Sequence, residues 1–488
     1  MNSNLRRWIA LVVVCFGQLM IMLDSTIVNV ALPSIQRDLA FSQAELTWVV
    51  NAYLVAYGSF LLVAGRVGDL VGRKKVFVAG VALFTAASVA SGLSHGAAEL
   101  IVTRFLQGLG GSLSAGVILA IIVTGFQEPA ERARAMSVFT FVIAGGGSIG
   151  LLAGGMLTQW VNWHWIFFIN VPIGILTAVM GAWLIDENPG LGLRGGVDVA
   201  GAVLITAALM LGVYSIVTAA DFGWASIHTL GFGGASLALL GAFVWLESRL
   251  RNPIMPLRIL TIRSLVGGSV VRAFLIMGMF TNFFMGALYL QHVKGFNAIG
   301  TGLAFLPSTL ALAALSLGIT ARLLGRFGPR NVAIAGLVTI SSGLLVLAGT
   351  DAAAGYFPRL FIAYVLIGLG AGMSFLPLLT ISMSEVPAAD AGLASGFGNV
   401  TMQVGAAIGL AVFGTVSADH AKSLLAQGDA MAAALTGGYQ MAFLLAAISV
   451  AVGLLLVITV VRPTGGRAGR VEPARARFEE SQGEAEAA

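Results

Sequence analysis

The sequence predicts an all-α membrane protein of fourteen transmembrane helices, built as two six-helix bundles with two further helices inserted between them. Three observations predict this fold class. First, 58% of the 488 residues are apolar and only 10% are charged, whereas a soluble domain carries about 25% charged residues. Second, Lys and Arg collect in alternate loops. Third, short glycine-containing motifs recur in the same order in both halves. The composition excludes an ordinary soluble enzyme.

The uninterrupted apolar stretches give the spans in chain order. The first follows Arg6 and Arg7, but it is too long for a signal peptide, carries Asp24 and has no clear cleavage site. Each of the others approaches the roughly 20 apolar residues that cross a bilayer. The first bundle, residues 1–190, contains spans 8–32, 46–64, 76–94, 99–123, 136–157 and 165–184. The linker, residues 191–262, contains spans 198–219 and 228–246. The second bundle, residues 263–462, contains spans 266–290, 300–320, 332–349, 358–380, 392–416 and 439–461. The polar tail, 463–488, is predicted to be disordered and cytoplasmic.

The positive charges orient these spans. Of the 27 Lys and Arg residues, 21 fall in segments on the side of the N-terminus and four on the opposite side, while Arg104 and Arg272 lie within spans. Because Lys and Arg concentrate in cytoplasmic loops, we predict a multi-pass protein of the cell membrane with both termini in the cytoplasm. The net charge of +5 is dispersed among short loops, so no nucleic-acid partner is expected.

Internal similarity indicates a duplication. The segment GRVGDLVGRKK (65–75) matches GITARLLGRFG (318–328), so that Gly72 aligns with Gly325. Two further pairs match in the same order: FLQGLGGSL with VLIGLGAGM, and GGSIGL with GAAIGL. An ordered set of this kind predicts two parallel six-span repeats, with spans seven and eight as an insertion.

These motifs resemble those of the major facilitator superfamily, in its fourteen-span branch of drug:proton antiporters. The loop residues Gly65, Asp69, Gly72, Arg73 and Lys74 fit the superfamily's loop motif, and LDSTIVNVALPSI (23–35) and WHWIFFINVPIG (163–174) are similar to segments of the drug exporters. The resemblance covers roughly residues 8–461. It implies a major facilitator fold and a secondary active transporter that exports amphipathic drugs, antibiotics or related small molecules in exchange for protons by alternating access. A monomer without cofactors is expected.

Asp24 and Arg104 are the candidate proton-coupling residues. Asp24 is the one acidic residue deep within a predicted span. A carboxylate inside the membrane costs free energy unless it is protonated, paired with a cation or in contact with water. Arg104 stays charged, so it organises an acid or water rather than carrying the proton. The resemblance implies that Arg104 to Gly111 is the span-four motif associated with proton transfer. The alternatives are a structural hydrogen-bonded Asp24 and an Arg104 that reaches the outer surface. Arg272 is interpreted as a residue that reaches the cytoplasmic surface.

The loop motif is predicted to act as a conformational latch. Gly65 and Gly72 would permit tight turns, and Asp69 would pair with Arg73 or face a helix N-terminus of the other half. The alternative is that these charges, including Lys74, only set the topology.

In span five, Gly146, Gly150 and Gly154 step by four residues along one helix face, with Gly155 beside them. Small residues at this spacing are typical of a close helix-packing seam. The resemblance identifies the segment as the antiporter motif, although Leu151 stands where that motif normally has Pro.

An adaptable apolar cavity for the substrate is predicted from composition. Its candidate polar residues are Asn51, Gln107 and Asn282, and its candidate apolar residues are Met20, Met22, Trp48, Phe280, Phe283 and Phe284. The alternative for each is ordinary packing or lipid contact.

Other function classes fit less well. No G-x-x-x-x-G-K-[ST] segment is present, which argues against an ATP-driven pump, and no selectivity sequence of a channel appears. The single Cys15 and five scattered His residues provide no metal site. An integral-membrane enzyme lacks a nucleophile or metal set beside its loosely paired acids, so the chain is not expected to be an enzyme. Export of one endogenous metabolite, lipid or siderophore is the alternative within transport.

Overall fold

A computed structural model describes residues 3–41, 43–187, 198–250, 257–387 and 390–459, with the single positions 190, 192, 253 and 255. The described part of the chain is helical and contains no β-strand. The predicted tail, 463–488, and much of the loop before the linker helices lie outside the described residues.

The first half contains seven helices. They are α1 (Ser3–Asp38), α2 (Gln43–Val71), α3 (Arg73–Gly92), α4 (Ala97–Gly125), α5 (Pro129–Trp160), the short α6 (Trp165–Phe168) and α7 (Asn170–Leu184). The linker contributes α8 (Val199–Phe222) and α9 (Ile227–Glu247). The side chains of Asp198 and Ser226 cap these two helices by accepting backbone N–H hydrogen bonds from Gly201 and Thr229, which satisfies donors that the first helical turn leaves free.

The second half contains α10 (Arg263–His292), α11 (Ala298–Ala314), α12 (Thr320–Ala348), α13 (Phe361–Met383), α14 (Ala391–Ala426) and α15 (Met431–Thr459). A π-helical turn, Leu315–Ile319, joins α11 to α12. Within α12 the chain turns at Gly328, with φ +77°, before Pro329. The part before Gly328 therefore extends predicted span ten, and the part after it forms predicted span eleven.

Twelve of the described helices are long and apolar enough to cross a membrane. Two further apolar helical stretches, Ala200–Ile216 and Ile299–Ala314, are shorter and coincide with predicted spans seven and ten. Large apolar side chains are exposed on the outer surface, among them Trp160, Trp183 and Trp245. Such a surface suits lipid rather than water, and exposed Trp is typical of membrane interfaces. The chain is a multi-pass membrane protein.

The helices form two bundles with the same internal contacts. In the first, α1 packs on α5 and α7, α4 packs on α2 and α3, and α3 packs on α7. In the second, α10 packs on α14 and α15, α13 packs on α11 and α12, and α12 packs on α15. The bundles meet where α5 contacts α11 and where α2 contacts α14. The linker pair lies to one side, with α8 against α2 and α14 and with α9 against α8.

Candidate functional site

Asp24 of α1 and Arg104 of α4 form a buried ion pair. The Arg104 Nη1 lies 2.6 Å from the Asp24 Oδ2, and the two side chains are 1% and 0% exposed. The sequence placed each residue in the outer half of its span, and the structure brings them into direct contact. Arg104 is therefore an internal partner of the carboxylate, and the alternative that it reaches the outer surface is wrong.

Three neutral side chains complete the network around this pair. Gln107, one turn after Arg104, donates to the Asp24 Oδ1 at 2.7 Å and accepts from the Arg104 Nη1 at 2.7 Å. Asn170 of α7 also donates to the Asp24 Oδ1, at 3.1 Å, and to the Ser88 Oγ of α3, at 3.0 Å. The Asp24 carboxylate thus has three donors from two other helices. Hydrogen bonds to the charged form stabilise it.

The remaining surface of Arg104 faces aromatic rings. Its Nε donates to the Val49 carbonyl of α2 at 3.0 Å, and its guanidinium carbon lies 4.5 Å from the Tyr53 ring centroid and 5.8 Å from that of Phe167. Cation–π contacts of this kind strengthen when water is excluded. The buried Tyr53 hydroxyl has no hydrogen-bond partner among the described residues. Tyr53 thus contacts the cation that pairs with Asp24.

A cavity of about 200 Å³ lies between the two bundles. Its walls come from α1, α2, α4 and α5 on one side and α10, α13 and α14 on the other. Most of the lining is apolar, as is usual for small-molecule sites. The apolar wall includes Ile21, Met22, Leu54, Phe139, Ile276, Phe280, Phe375 and Met402, and the polar lining includes Gln18, Tyr57, Arg272, Asn399 and Gln403.

Tyr53 connects this cavity to the ion pair. It lines the main cavity and also a smaller one of about 20 Å³, whose wall contains Arg104 and Phe284. Ser25, adjacent in sequence to Asp24, lines both cavities as well. The charged network and the main cavity are therefore separated by one layer of side chains.

The structure corrects most of the predicted cavity lining. Met20 is fully buried in the core of the first bundle, and Gln107 belongs to the ion-pair network. Trp48 contacts Tyr214 of α8, with ring centroids 5.5 Å apart. These three predicted residues do not line the cavity.

The remaining candidates divide between packing and lining. Asn51 and Asn282 are outside the main cavity wall, and the Asn282 Oδ1 has no hydrogen-bond partner among the described residues. Phe283 stacks on Phe305 of α11, with centroids 4.9 Å apart. Met22 and Phe280 do line the cavity. Apolar residues on one helix are equally suited to lipid, core and cavity, so composition alone did not separate them.

The interpretation of Arg272 as a residue that reaches the cytoplasmic surface is wrong. Its side chain is only 9% exposed and lines the cavity between the bundles. Sequence reasoning also missed Tyr53, Ser88 and Asn170. Asn170 lies within the WHWIFFINVPIG stretch, whose one amide side chain in an apolar run was an available signal.

The loop motif is largely helical. Asp69, in the last turn of α2, accepts hydrogen bonds from the Arg73 Nε at 3.0 Å and Nη2 at 2.8 Å. Of the two predicted arrangements, this is the pairing of Asp69 with Arg73. The Lys74 Nζ lies 3.9 Å from Glu187 after α7. Gly72 makes the turn, with φ +113°. Gly65 does not, because it lies within α2.

Gly65 instead lies where α2 and α4 approach closely. A Cβ atom on Gly116 of α4 would lie 3.0 Å from the Gly65 backbone nitrogen. In the second half the turn is at Gly328, three residues beyond Gly325, which the repeat aligned with Gly72. The sequence match thus located the repeated loop but not its turning residue.

The span-five seam packs on α1 around Asp24. A Cβ on Gly146 would lie 2.8 Å from the Met22 Cβ, and one on Gly154 would lie 2.9 Å from the Ile27 carbonyl oxygen. At Gly150 it would overlap the Thr26 hydroxyl. Gly155 is buried beside them. Close packing here holds the helix segment that carries the carboxylate.

Known proteins share this sequence and fold. The family model of the Major Facilitator Superfamily matches residues 14–410. The puromycin resistance protein pur8 of Streptomyces alboniger is 35% identical over 458 residues, covering 93% of this chain and 90% of that protein. The tetracenomycin C resistance and export protein of Streptomyces glaucescens is 33% identical over 415 residues, covering 85% of this chain and 77% of that protein.

A solved structure shows the same fold at lower identity. The crystal structure of the human organic anion transporter MFSD10 (TETRAN) superposes with a TM-score of 0.66 at 15% identity, covering 94% of this chain and all of that one. With two matching bundles, a cavity between them, a family match over most of the chain and relatives above 30% identity, this chain belongs to the Major Facilitator Superfamily.

Proposed function

We propose that this chain is a secondary active exporter of amphipathic drugs or antibiotics that exchanges them for protons by alternating access. The observation that carries the proposal is a largely apolar cavity between two like bundles, one side-chain layer from a buried carboxylate. Relatives named for puromycin resistance and for tetracenomycin C resistance and export support the substrate class.

In this proposal Asp24 carries the proton. Protonation would neutralise the carboxylate and leave Arg104 without its ion partner, which is costly in a buried site. The Arg104 guanidinium contacts Tyr53, and Tyr53 lines the cavity. Proton binding at Asp24 and substrate binding in the cavity would thus compete through one shared side chain. This is the differential interaction that any coupling between two sites requires.

The proposed membrane arrangement keeps fourteen spans in the cell membrane, with both termini cytoplasmic. The bundles comprise residues 1–190 and 263–462, with the two linker helices of 191–262 beside them, and the exporter acts as a monomer. We count the two shorter apolar stretches, at α8 and α11, as spans. α8 continues beyond its apolar stretch to Phe222, and α11 leads through the π-helical turn Leu315–Ile319 into α12.

The relatives favour this proposal over its alternatives. Several are named as antibiotic or multidrug resistance and export proteins, which favours drugs over an exporter of one endogenous metabolite, lipid or siderophore. Membership in a family of transporters argues against an integral-membrane enzyme.

Proton release from energised everted vesicles tests the proposal. A panel of amphipathic compounds is added one at a time while the internal pH is followed with a fluorescent amine. The wild-type chain should release protons with at least one compound. Asp24→Asn keeps the size of the side chain but cannot ionise, so release should disappear while the compound still binds. Asp419→Asn, at an exposed acid with 67% side-chain exposure, is the matched control.

Two results would contradict parts of the proposal. If no compound releases protons at any pH, proton antiport is wrong. If Asp24→Asn releases them normally, another group carries the proton.

A further inference from the structure

Arg272 is a buried cation with no counter-ion among the described residues. It lies on α10, is 9% exposed, and its Nε has no hydrogen-bond partner among the described residues. No ion pair joins it to any acid in the described part of the chain. Arg104, the other arginine within a span, has Asp24, Gln107 and Val49 as partners. A buried charge left unpaired is expensive, so Arg272 is not explained by the stability of the fold.

The position of Arg272 points to a ligand. The side chain lines the central cavity, whose wall also includes Asn399 and Gln403 of α14. The facing residue on α14 is Gly398, where a Cβ would lie 3.0 Å from the Arg272 Nη1. The guanidinium thus lies at the wall of a site large enough to admit a small molecule.

The charge of this cavity has one sign. Arg272 is the one charged side chain in its described lining, which contains no Asp or Glu. Asp24, the acid of the neighbouring network, is fully buried and already paired with Arg104. Arginine stays protonated at any physiological pH. In a site of low dielectric, its uncompensated charge attracts anions and repels cations.

We propose that the transported compounds are amphipathic anions, whose carboxylate or similar planar acidic group pairs with Arg272. Arginine presents a fork of N–H donors that matches a carboxylate in two parallel hydrogen bonds. The apolar body of the compound packs against the apolar lining, which includes Phe280 and Phe375. The inference rests on the proposed function, because it assigns the cavity to the substrate.

Three matched probes test the charge preference. They are 1-pyrenebutyrate, 1-pyrenebutanol and 4-(1-pyrenyl)butyltrimethylammonium, which share one apolar body and differ in charge. Binding is measured from the rise in thermal unfolding temperature of the full-length chain in nanodiscs of zwitterionic lipid, since a ligand of the native state stabilises it. The wild-type chain should bind the butyrate at least about tenfold more tightly than the alcohol, as expected for hydrogen bonds to a charged group, and the ammonium most weakly.

Substitutions assign the preference to Arg272. In Arg272→Gln the butyrate should fall to the affinity of the alcohol, whose own affinity should not change. Arg272→Lys should restore part of the preference, because a lysine keeps the charge but not the fork. As a control, Arg249→Gln removes an exposed arginine just after α9. This variant should bind the three probes in the same order of affinity as the wild-type chain. If Arg272→Gln does not fold, the order of the three probe affinities on the wild-type chain decides whether the cavity prefers anions.

The outcomes separate this inference from the exporter proposal. If the ammonium binds as tightly as the butyrate, or if Arg272→Gln binds the butyrate normally, the anion inference is wrong even where proton-coupled export is seen. If the butyrate binds through Arg272 but releases no protons from vesicles, the anion site stands and the exporter proposal loses its support.

Discussion

At the residue scale, the buried charges Asp24, Arg104 and Arg272 have two different kinds of surroundings. Asp24 and Arg104 neutralise each other and fill their hydrogen-bonding capacity with Gln107, Asn170 and the Val49 carbonyl. Arg272 has no such arrangement and faces a cavity. A fully hydrogen-bonded buried network is rigid, whereas an unpaired buried charge is costly until a partner binds it. The first site is thus suited to coupling and the second to recognition.

The Asp24–Arg104 pair should show strong energetic coupling. Asp24→Asn and Arg104→Gln should each lower the free energy of unfolding by about 3–5 kcal/mol, because each leaves a buried polar or charged partner uncompensated. The double variant should lose less free energy of unfolding than the two single variants lose together. Thermal or denaturant unfolding in detergent measures these losses and gives the coupling energy of the pair as a double-mutant cycle. Asp419→Asn and Lys422→Gln form the control pair. That pair is exposed and 3.8 Å apart, and should couple by no more than about 1 kcal/mol. Equal coupling energies for the two pairs would mean that the buried pair is coupled no more strongly than an exposed one.

At this scale the sequence could identify unusual residues but not their surroundings. Asp24 and Arg104 were predictable because charges are rare in apolar spans. Their contact was not, because 80 positions separate them and no local pattern links their helices. For Arg272 the sequence suggested the wrong surroundings. Its place near a helix end fitted a surface residue, and only the packing of α10 against α14 directed it inward.

At the element scale, glycine sets how closely the helices approach. In the first half, Gly150 packs on α1, and Gly108 of α4 lies against the Tyr53 carbonyl of α2. In the second half, Gly405 packs on the Ala273 carbonyl of α10, and Gly368 of α13 lies against the Ser308 carbonyl of α11. Helices in a membrane associate by close packing rather than by the hydrophobic effect. The repeated seams therefore explain why both bundles have the same contacts.

Gly150→Ala should damage the seam. The added Cβ would overlap the Thr26 hydroxyl and lie 2.9 Å from the Leu23 carbonyl oxygen, so α5 and α1 must separate. We expect a loss of about 1–3 kcal/mol in stability, measured by thermal unfolding, together with slower transport. Gly145→Ala on the same helix is the control, since its Cβ would meet nothing within 4 Å. If the two variants unfold alike, the seam is not a tight contact.

The loop glycines should respond according to their backbone rather than their sequence alignment. Gly72 and Gly328 have φ of +113° and +77°, so alanine at either should cost about 1–3 kcal/mol. Gly325 aligns with Gly72 but is helical, and Gly325→Ala should be neutral or slightly stabilising. Thermal unfolding of the three variants measures the difference. A destabilising Gly325→Ala with a neutral Gly328→Ala would place the turn where the sequence match put it.

At the scale of the whole molecule, the two bundles touch through related helices. The contact of α2 with α14 and the contact of α5 with α11 are counterparts under the internal repeat. At the first, a Cβ on Gly396 would lie 3.9 Å from the Leu62 Cα. At the second, a Cβ on Gly302 would lie 2.9 Å from the Leu152 Cγ. Rocking of one bundle against the other must open one end of these contacts while closing the other.

A disulfide across the first contact should stop transport. Cysteines replacing Leu62 and Gly396 would lie within disulfide range, and the one native cysteine, Cys15, is buried in the first bundle. Oxidation should abolish efflux, because a linked pair holds the bundles together on that side, and a reductant should restore it. Each single-cysteine variant under the same oxidant is the control. Full transport by the cross-linked chain would exclude rocking about this contact.

The sequence by itself determined the helical fold, the positions of the apolar helices, the internal repeat and the family. It could do so because a long uncharged stretch has one low-energy backbone in a bilayer, where every peptide group must be hydrogen-bonded within the helix. The tertiary structure alone decided which face of each helix meets lipid, core or cavity. Lipid and protein interior are equally apolar, so hydropathy does not distinguish Met20 in a core from Met22 at the cavity. For the same reason the partner of Arg104, and the absence of one for Arg272 among the described residues, emerged only when the helices were packed.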